Sequence, residues 1–232
     1  MPNNAVMLKN MSKHEELRAL GEERKRTRWP GYNCIGDYHQ QAYECDHVSP
    51  YTKTAGNVES AIFILLQDWS SHSWLSKPLN EDVQRLGYAP NLPTNKNLEA
   101  LLHEHFNVTL ADVYATNLFP FVKNESMSGK IPHQDLLRAA RCFALPQIEI
   151  VRPAMVVCMG LATFNAMRES CGQAGCNSMS SAIESEFAWG AVNFWAQVHP
   201  GHFGMLNRNR GNANRARNDW QRMKSAFDRR AF

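Results

Sequence analysis

From residue 61 onward, short apolar runs of strand length alternate with segments of helical periodicity. The runs 61–66 and 154–159 are apolar on both faces, which is typical of strands that helices cover on both sides. Two further runs, 113–116 and 192–198, have strand length as well. Such alternation favours βα units around a parallel sheet. We therefore predict an α/β fold in three layers, α/β/α, with a central four-stranded parallel sheet.

Capping residues place the predicted helices. Asn80 and Gly87 have the positions of an N-terminal cap and a C-terminal stop, and Ser12 and Glu15 have the spacing of a capping box. The helix that begins after Ser12 is predicted to end before Trp29. The other helices are predicted over 80–86, 98–106, 132–150, 161–169 and 213–227. Residues 32–57 show no period and are predicted as loop, so we divide the chain into an N-terminal extension, 1–57, packed on the core, and a domain, 58–232.

Composition limits the class of protein. A chain of 232 residues is long enough for one sizeable core. With 44% hydrophobic and 20% charged residues, it is neither low-complexity nor wholly disordered. Unbroken apolar runs such as 61–66 are far shorter than the ~20 residues of a membrane helix, and the first residues lack a signal-peptide pattern. We expect a cytoplasmic monomer without a membrane partner.

The six cysteines form no Cys-x-x-Cys motif. Cys34 and Cys45 stand near His39 and His47, and four residues separate Cys171 from Cys176, but neither spacing fits a standard zinc site. In a chain without a signal peptide, thiols are the simpler interpretation, with metal ligands as the alternative. We predict no metal and no cofactor.

Positive charge is concentrated near the C-terminus. The chain has a net charge of +3, yet residues 208–230 hold eight Lys or Arg and two Asp, an excess of six. A basic segment with interleaved asparagines suits a nucleic-acid phosphate backbone, although a solvated basic helix explains it equally well. The candidate DNA contacts in this segment are Arg208, Arg210, Arg215 and Arg217.

Polar residues follow the predicted strands at the edge where ligands of α/β proteins bind. These are Asp68, Asn117 and His199. A carboxylate can orient water, an amide can pair with a base edge, and an imidazole can stabilise a departing anion. Each residue also has a structural interpretation, since Asp68 can cap a turn, Asn117 can hold a loop and His199 can belong to the core. The aromatic residues nearby are core residues or base-stacking residues.

At these positions the sequence resembles the uracil-DNA glycosylase superfamily. The stretch Ile-Leu-Leu-Gln-Asp-Trp-Ser-Ser-His at 64–72 is similar to the first motif of family-1 enzymes, Gly-Gln-Asp-Pro-Tyr-His. His-Pro-Gly at 199–201 is similar to their His-Pro-Ser. Tyr-Ala-Thr-Asn at 114–117 and the segment 142–160 resemble the iron–sulfur glycosylases. The resemblance extends over about 58–226 and implies a uracil-DNA glycosylase-like fold.

The resemblance implies a monofunctional enzyme that flips uracil out of DNA and hydrolyses its N-glycosidic bond, leaving an abasic site. Asp68 would orient the water, Asn117 would read the uracil edge and His199 would stabilise the uracil anion. Gln67 and Trp69 would line the pocket. The aromatic that stacks on the base would be Trp74, Tyr88 or Trp69. His202 would contact the DNA, and Phe203, Met205 or Leu206 would fill the vacated stack.

The sequence also departs from these families. Leu66, Trp69 and Ser70 replace the Gly, Pro and Tyr of the first motif, which leaves thymine exclusion unexplained, and Gly201 lacks the serine hydroxyl. Of the four cysteines of the iron–sulfur enzymes only Cys142 clearly matches, and Phe121 stands where the third is expected, so we predict no cluster. The alternatives are a weakly catalytic module that binds uracil-containing or abasic DNA and an unrelated α/β hydrolase acting on small molecules.

Overall fold

A five-stranded sheet forms the centre of the structure, a computed structural model that describes residues 11–124 and 126–230. The strands of the described chain are β1 (Tyr32–Asn33), β2 (Ile62–Asp68), β3 (Tyr114–Phe119), β4 (Val122–Lys123), β5 (Met155–Met159), β6 (Phe187–Trp189) and β7 (Val192–Gln197). The order in the central sheet is β3-β2-β5-β7-β6. The first four strands are parallel to one another, and β6 is antiparallel to β7.

Helices cover both faces of this sheet. They are α1 (Lys13–Arg26), α2 (His72–Leu75), α3 (Glu81–Leu86), α4 (Pro93–Phe106), α5 (His133–Ala139), α6 (Leu145–Val151), α7 (Leu161–Ser170), α8 (Met179–Ile183), α9 (His202–Arg208) and α10 (Arg215–Asp228). Alternate residues of β2 face opposite layers, because Phe63 and Leu65 pack with residues of α1, α5 and α7, whereas Ile64 and Leu66 pack with residues of α4 and α10.

The α/β class is confirmed, but the sheet is mixed and has five strands where the sequence analysis predicted four parallel ones. The additional strand, β6, has only three residues and pairs with β7 through a hairpin. Gly190 provides the turn with a φ of 58°, a conformation that glycine adopts at little cost. Such a short edge strand has too few residues to show a period in the sequence.

Local capping explains where several helices begin and end. Ser12 and Glu15 form the predicted capping box of α1, and the Asn80 side chain caps α3 at the amide of Val83. Gly87 ends α3 with a φ of 82°, and a Cβ there would lie 1.7 Å from the carbonyl oxygen of Pro50. Helix α4 begins five residues before its predicted start because Pro93 suits the first helical turn.

The N-terminal extension packs into the same core as the sheet. Leu17 of α1 and Trp29 are buried among residues of β2 and β3. Strand β1 pairs with β4, and a short 3-10 turn, Pro50–Lys53, packs on β3. Two more 3-10 turns, Ile35–Asp37 and His39–Gln41, lie in the segment that was predicted as loop. Across the described residues, we find no helix with the length and apolar character that crossing a membrane requires.

Candidate active site

A cavity of about 430 Å³ lies beyond the ends of β2 and β7. Its volume falls within the range of roughly 300–1,000 Å³ that is usual for small-molecule sites. Asp68, the last residue of β2, and His199, two residues after β7, both line it. The parallel sheet brings the ends of these strands to one edge, although the residues are 131 positions apart in the chain. The carboxylate and the imidazole therefore share one cavity.

Both oxygens of the Asp68 carboxylate have partners. Nζ of Lys123 lies 2.9 Å from Oδ2, and the two side chains are only 5% and 10% exposed. Nε2 of Gln67 donates a hydrogen bond of 3.1 Å to Oδ1. A carboxylate offers about four lone-pair positions, so two remain for water or substrate. The carboxylate is held in one orientation and can still accept hydrogen bonds from the cavity.

The surroundings of His199 favour its neutral form. The backbone amide of Gly201 donates a hydrogen bond of 3.1 Å to Nδ1. A neutral ring that accepts at Nδ1 carries its proton on Nε2. The ring can be reached by solvent, yet the protein around it displaces part of its hydration and lowers the pKa of His199, while Asp68 raises this pKa and Lys123 lowers it. His199 is therefore a hydrogen-bond donor at the cavity.

Two glycines allow the backbone to pass close to His199. A Cβ at Gly201 would lie 2.8 Å from Nδ1 of His199 and 3.0 Å from Oγ1 of Thr94. A Cβ at Gly204 would lie 2.0 Å from the carbonyl oxygen of His199. This close packing gives a physical reason for glycine at position 201, where the similar motif has serine.

Asn117 does not line the cavity. It is completely buried in β3, beside Leu66 of β2 in the strand register. Its Oδ1 accepts a hydrogen bond of 2.6 Å from the hydroxyl of Ser49, and its Nδ2 has no hydrogen-bond partner within the described part of the chain. The structure thus brings Asp68 and His199 together at the cavity, whereas Asn117 is outside its lining and is bonded to Ser49 of the N-terminal extension.

Aromatic side chains form much of the cavity wall. Trp69 and Trp74 line it, and the Trp69 indole is fixed by a hydrogen bond of 2.8 Å to the carbonyl of Gly87. Tyr88 lines it as well and stacks on Tyr51, with ring centroids 5.2 Å apart. Sequence reasoning missed Tyr51, which comes from the N-terminal extension. Gln67 contacts Asp68 and is not part of the lining.

Sequence reasoning also missed Lys123. Lys123 forms the ion pair with Asp68, and its Nζ donates hydrogen bonds to the carbonyl oxygens of Met127 at 2.6 Å and Gly129 at 3.1 Å. The available signal was the position of this lysine directly after the apolar residues Phe121 and Val122, which suggests that it is buried with them. A buried lysine needs a partner of opposite charge, and Asp68 is that partner.

Several exposed residues of the lining are apolar. Phe203 at the start of α9 is 77% exposed, and Leu92 and Met127 on two other loops are exposed as well. His202 also borders the cavity. Leu206 is exposed, whereas Met205 packs against the core. Of the three residues expected to fill a vacated base stack, Phe203 is the one that both lines the cavity and projects into solvent.

Much of the basic C-terminal segment is neutralised within the protein. Arg208 binds both oxygens of Asp219, at 2.6 and 3.0 Å, and Asp219 is only 2% exposed. Arg217 lies 3.4 Å from Glu104 of α4. Arg210 and Arg215 are exposed and have no ion pair with a described residue. The four predicted DNA contacts therefore differ in how available their charges are.

The residues present do not fit the iron–sulfur cluster of the similar enzymes. Phe121 packs against Trp29 with ring centroids 4.7 Å apart and against Phe143 at 5.9 Å, so aromatic rings fill the space beside it. Cys142 is exposed, and the buried Cys34 thiol donates to the carbonyl of Thr27. Within residues 11–124 and 126–230, no three His, Cys, Asp or Glu side chains are grouped as metal ligands.

Comparison with known proteins adds no family assignment: no protein-family model matches the chain, and a search of the curated proteins finds no match. The function must therefore be argued from the cavity and its residues.

Proposed function

We propose that the protein is a monofunctional DNA glycosylase that hydrolyses the N-glycosidic bond of uracil in DNA. The observation that carries the proposal is that the Asp68 carboxylate and the His199 imidazole line one aromatic-walled cavity. An acid that can hold water and a neutral donor that can hold an anion are the two groups that this hydrolysis requires.

The reaction uses the two groups on opposite sides of the breaking bond. Uracil enters the cavity after it is rotated out of the DNA stack. The bond between C1′ and N1 breaks, the electron pair leaves with the base, and a water oxygen bonds to C1′. Asp68 orients the water and stabilises the positive charge that develops on the sugar, while Nε2–H of His199 donates to the uracil anion. Asp68 accepts the proton that the attacking water releases and passes it to solvent, which balances the negative charge of the departing uracil.

The surroundings of the cavity suit a DNA substrate. Trp69, Trp74 and Tyr88 offer aromatic faces to a base inside. Phe203 projects where an apolar side chain can occupy the gap that a flipped base leaves. The exposed Arg210 and Arg215 follow on the same segment of chain and are suited to phosphates.

The test is an incubation of the purified protein with a uracil-containing oligonucleotide, followed by alkali. We expect cleavage at the uracil position, and we expect Asp68→Asn to slow base release about 10²-fold or more because the amide can neither accept the water's proton nor stabilise positive charge. Asp46→Asn is the matched control, since this exposed carboxylate pairs with Arg18 and is not part of the cavity lining.

One observation favours a second candidate, a module that binds uracil-containing or abasic DNA with little turnover. Asn117, the expected reader of the uracil edge, is not part of the cavity wall, and Ser49 already donates to its acceptor oxygen. If the wild-type protein leaves the oligonucleotide intact but retards it in a gel, the binding module replaces the enzyme.

A further inference from the structure

Lys123 is a buried lysine next to the cavity. Only 4% of the residue is exposed, and it is not part of the cavity lining. Burying an ammonium group is costly unless it is paired and hydrogen-bonded. Its Nζ meets three acceptors, the carboxylate of Asp68 and the carbonyls of Met127 and Gly129. Two of the three N–H groups of the ammonium donate to these carbonyls and the carboxylate lies at ion-pair distance, so the ammonium is held inside the protein.

The backbone of Lys123 is fixed by the N-terminal extension. Lys123 belongs to β4 and is opposite Tyr32 of β1 in the strand register. The Asn124 side chain donates a hydrogen bond of 2.6 Å to the carbonyl of Gly31, next to this pairing. Ser71, three residues after Asp68, forms a bridge with Lys123 on the other side. Lys123 is therefore held between the N-terminal extension and the loop that follows β2.

We propose that Lys123 is a positioning residue that acts on the reaction through Asp68, an inference that rests on the proposed function. Its ammonium holds Oδ2 of the carboxylate while Gln67 holds Oδ1, so the carboxylate cannot rotate away from the cavity. The same ammonium binds the segment of Met127, which lines the cavity. Lys123 thus joins the carboxylate, the cavity wall and the N-terminal extension.

The first test compares Lys123→Met in two backgrounds. In the wild-type background, kcat for uracil release should fall about 10²-fold with KM within about twofold, because a misplaced carboxylate affects the chemical step more than binding. In the Asp68→Asn background, the same substitution should lower kcat no further. An equal loss in both backgrounds would mean that Lys123 acts independently of Asp68, and an unchanged kcat in Lys123→Met would also overturn the proposal.

Thermal unfolding separates positioning from a general loss of structure. Lys123→Met should lower Tm because it leaves a buried carboxylate without its partner, and Asp68→Asn/Lys123→Met should recover most of this loss. Lys130→Met is the matched control, since Lys130 is exposed and the change is the same. If Lys123→Met does not fold, the double variant and Asp68→Asn still give the kcat comparison, and a lower kcat in the double variant would contradict the proposal.

Failure of the proposed function would look different. If the wild-type protein releases no base, the glycosylase proposal fails, and with it the role of Lys123 in the reaction. The Tm values of the two single variants and the double variant then still decide whether the pair holds Asp68. Strictly additive changes in Tm would show that Lys123 and Asp68 are uncoupled.

Discussion

His199 senses the charges of Asp68 and Lys123. The limited hydration of its ring lowers the pKa of His199 below the ordinary value, Asp68 favours the imidazolium, and Lys123 disfavours it. Asp68→Asn removes the attraction, so the pKa of His199 should fall further. Lys123→Met removes the repulsion, so the pKa of His199 should rise. NMR titration of the histidine ring signals measures both directions.

Asp46→Asn provides an internal control for this titration. Burial lowers the pKa of His47, and the nearby Asp46 carboxylate partly opposes this by raising it. Asp46→Asn should therefore lower the pKa of His47 further and leave the pKa of His199 unchanged. If Asp68→Asn also leaves His199 unchanged, the carboxylate and the imidazole do not interact, and the main support for the proposed chemistry is lost.

At the scale of single residues, the sequence pointed to groups that lie at strand ends. Asp68 and His199 were predicted together because parallel strands bring their carboxyl ends to one edge. Lys123 and Tyr51 were missed because each reaches the site through the extension or through β4, whose two residues form no recognisable pattern. Asn117 was predicted to follow its strand, but β3 continues to Phe119, so Asn117 lies within the strand. Its hydrogen bond from Ser49 joins residues 68 positions apart, a contact that no local pattern shows.

Helix α9 presents Phe203 to solvent at the edge of the cavity. Phe203→Ala should reduce uracil release from double-stranded DNA about tenfold, because the vacated stack would stay unfilled. Release from single-stranded DNA should hardly change, since no paired stack is disrupted there. Rates measured on the two substrates under single-turnover conditions make the comparison.

Leu79→Ala is the control for Phe203→Ala, because Leu79 is also an exposed apolar residue and is not part of the cavity lining. It should leave both rates unchanged. Equal losses on single and double strands in Phe203→Ala would indicate that the ring helps to form the cavity and does not act as a wedge.

The elements that the sequence predicted well have signals within a few residues. The capping box of α1 and the Asn80 cap of α3 are local, and both helices occur as predicted. The predicted helix over 132–150 is continuous but contains a π-helical turn, Ala140–Ala144, just before Pro146. Proline has no N–H for the regular helical bond, so the helix changes its pitch there, and periodicity alone does not register this change.

For the molecule as a whole, net charge is a poor guide to the surface that meets DNA. The excess of six positive charges in 208–230 was counted without their partners. Arg208 and Arg222 share Asp219, Lys224 pairs with Asp228 and Arg230 pairs with Glu186. The exposed pairs of Lys224 and Arg230 contribute little to stability, but all of these pairs reduce the positive charge that a phosphate meets. The distribution of charge therefore depends on the fold more than on the composition.

This difference predicts opposite outcomes for two arginines of the segment. Arg215→Ala should weaken DNA binding for all sequences and reduce the slope of log affinity against log salt by about 1, because Arg215 is exposed and has no ion pair with a described residue. Arg208→Ala should leave the slope unchanged and instead lower the free energy of unfolding by about 2 kcal/mol, because the buried Asp219 carboxylate loses both hydrogen bonds from Arg208 and keeps the one from Arg222. Fluorescence anisotropy over a salt series and denaturant unfolding measure the two quantities. A reduced salt slope with unchanged stability in Arg208→Ala would show that Arg208 contacts the phosphate backbone after all.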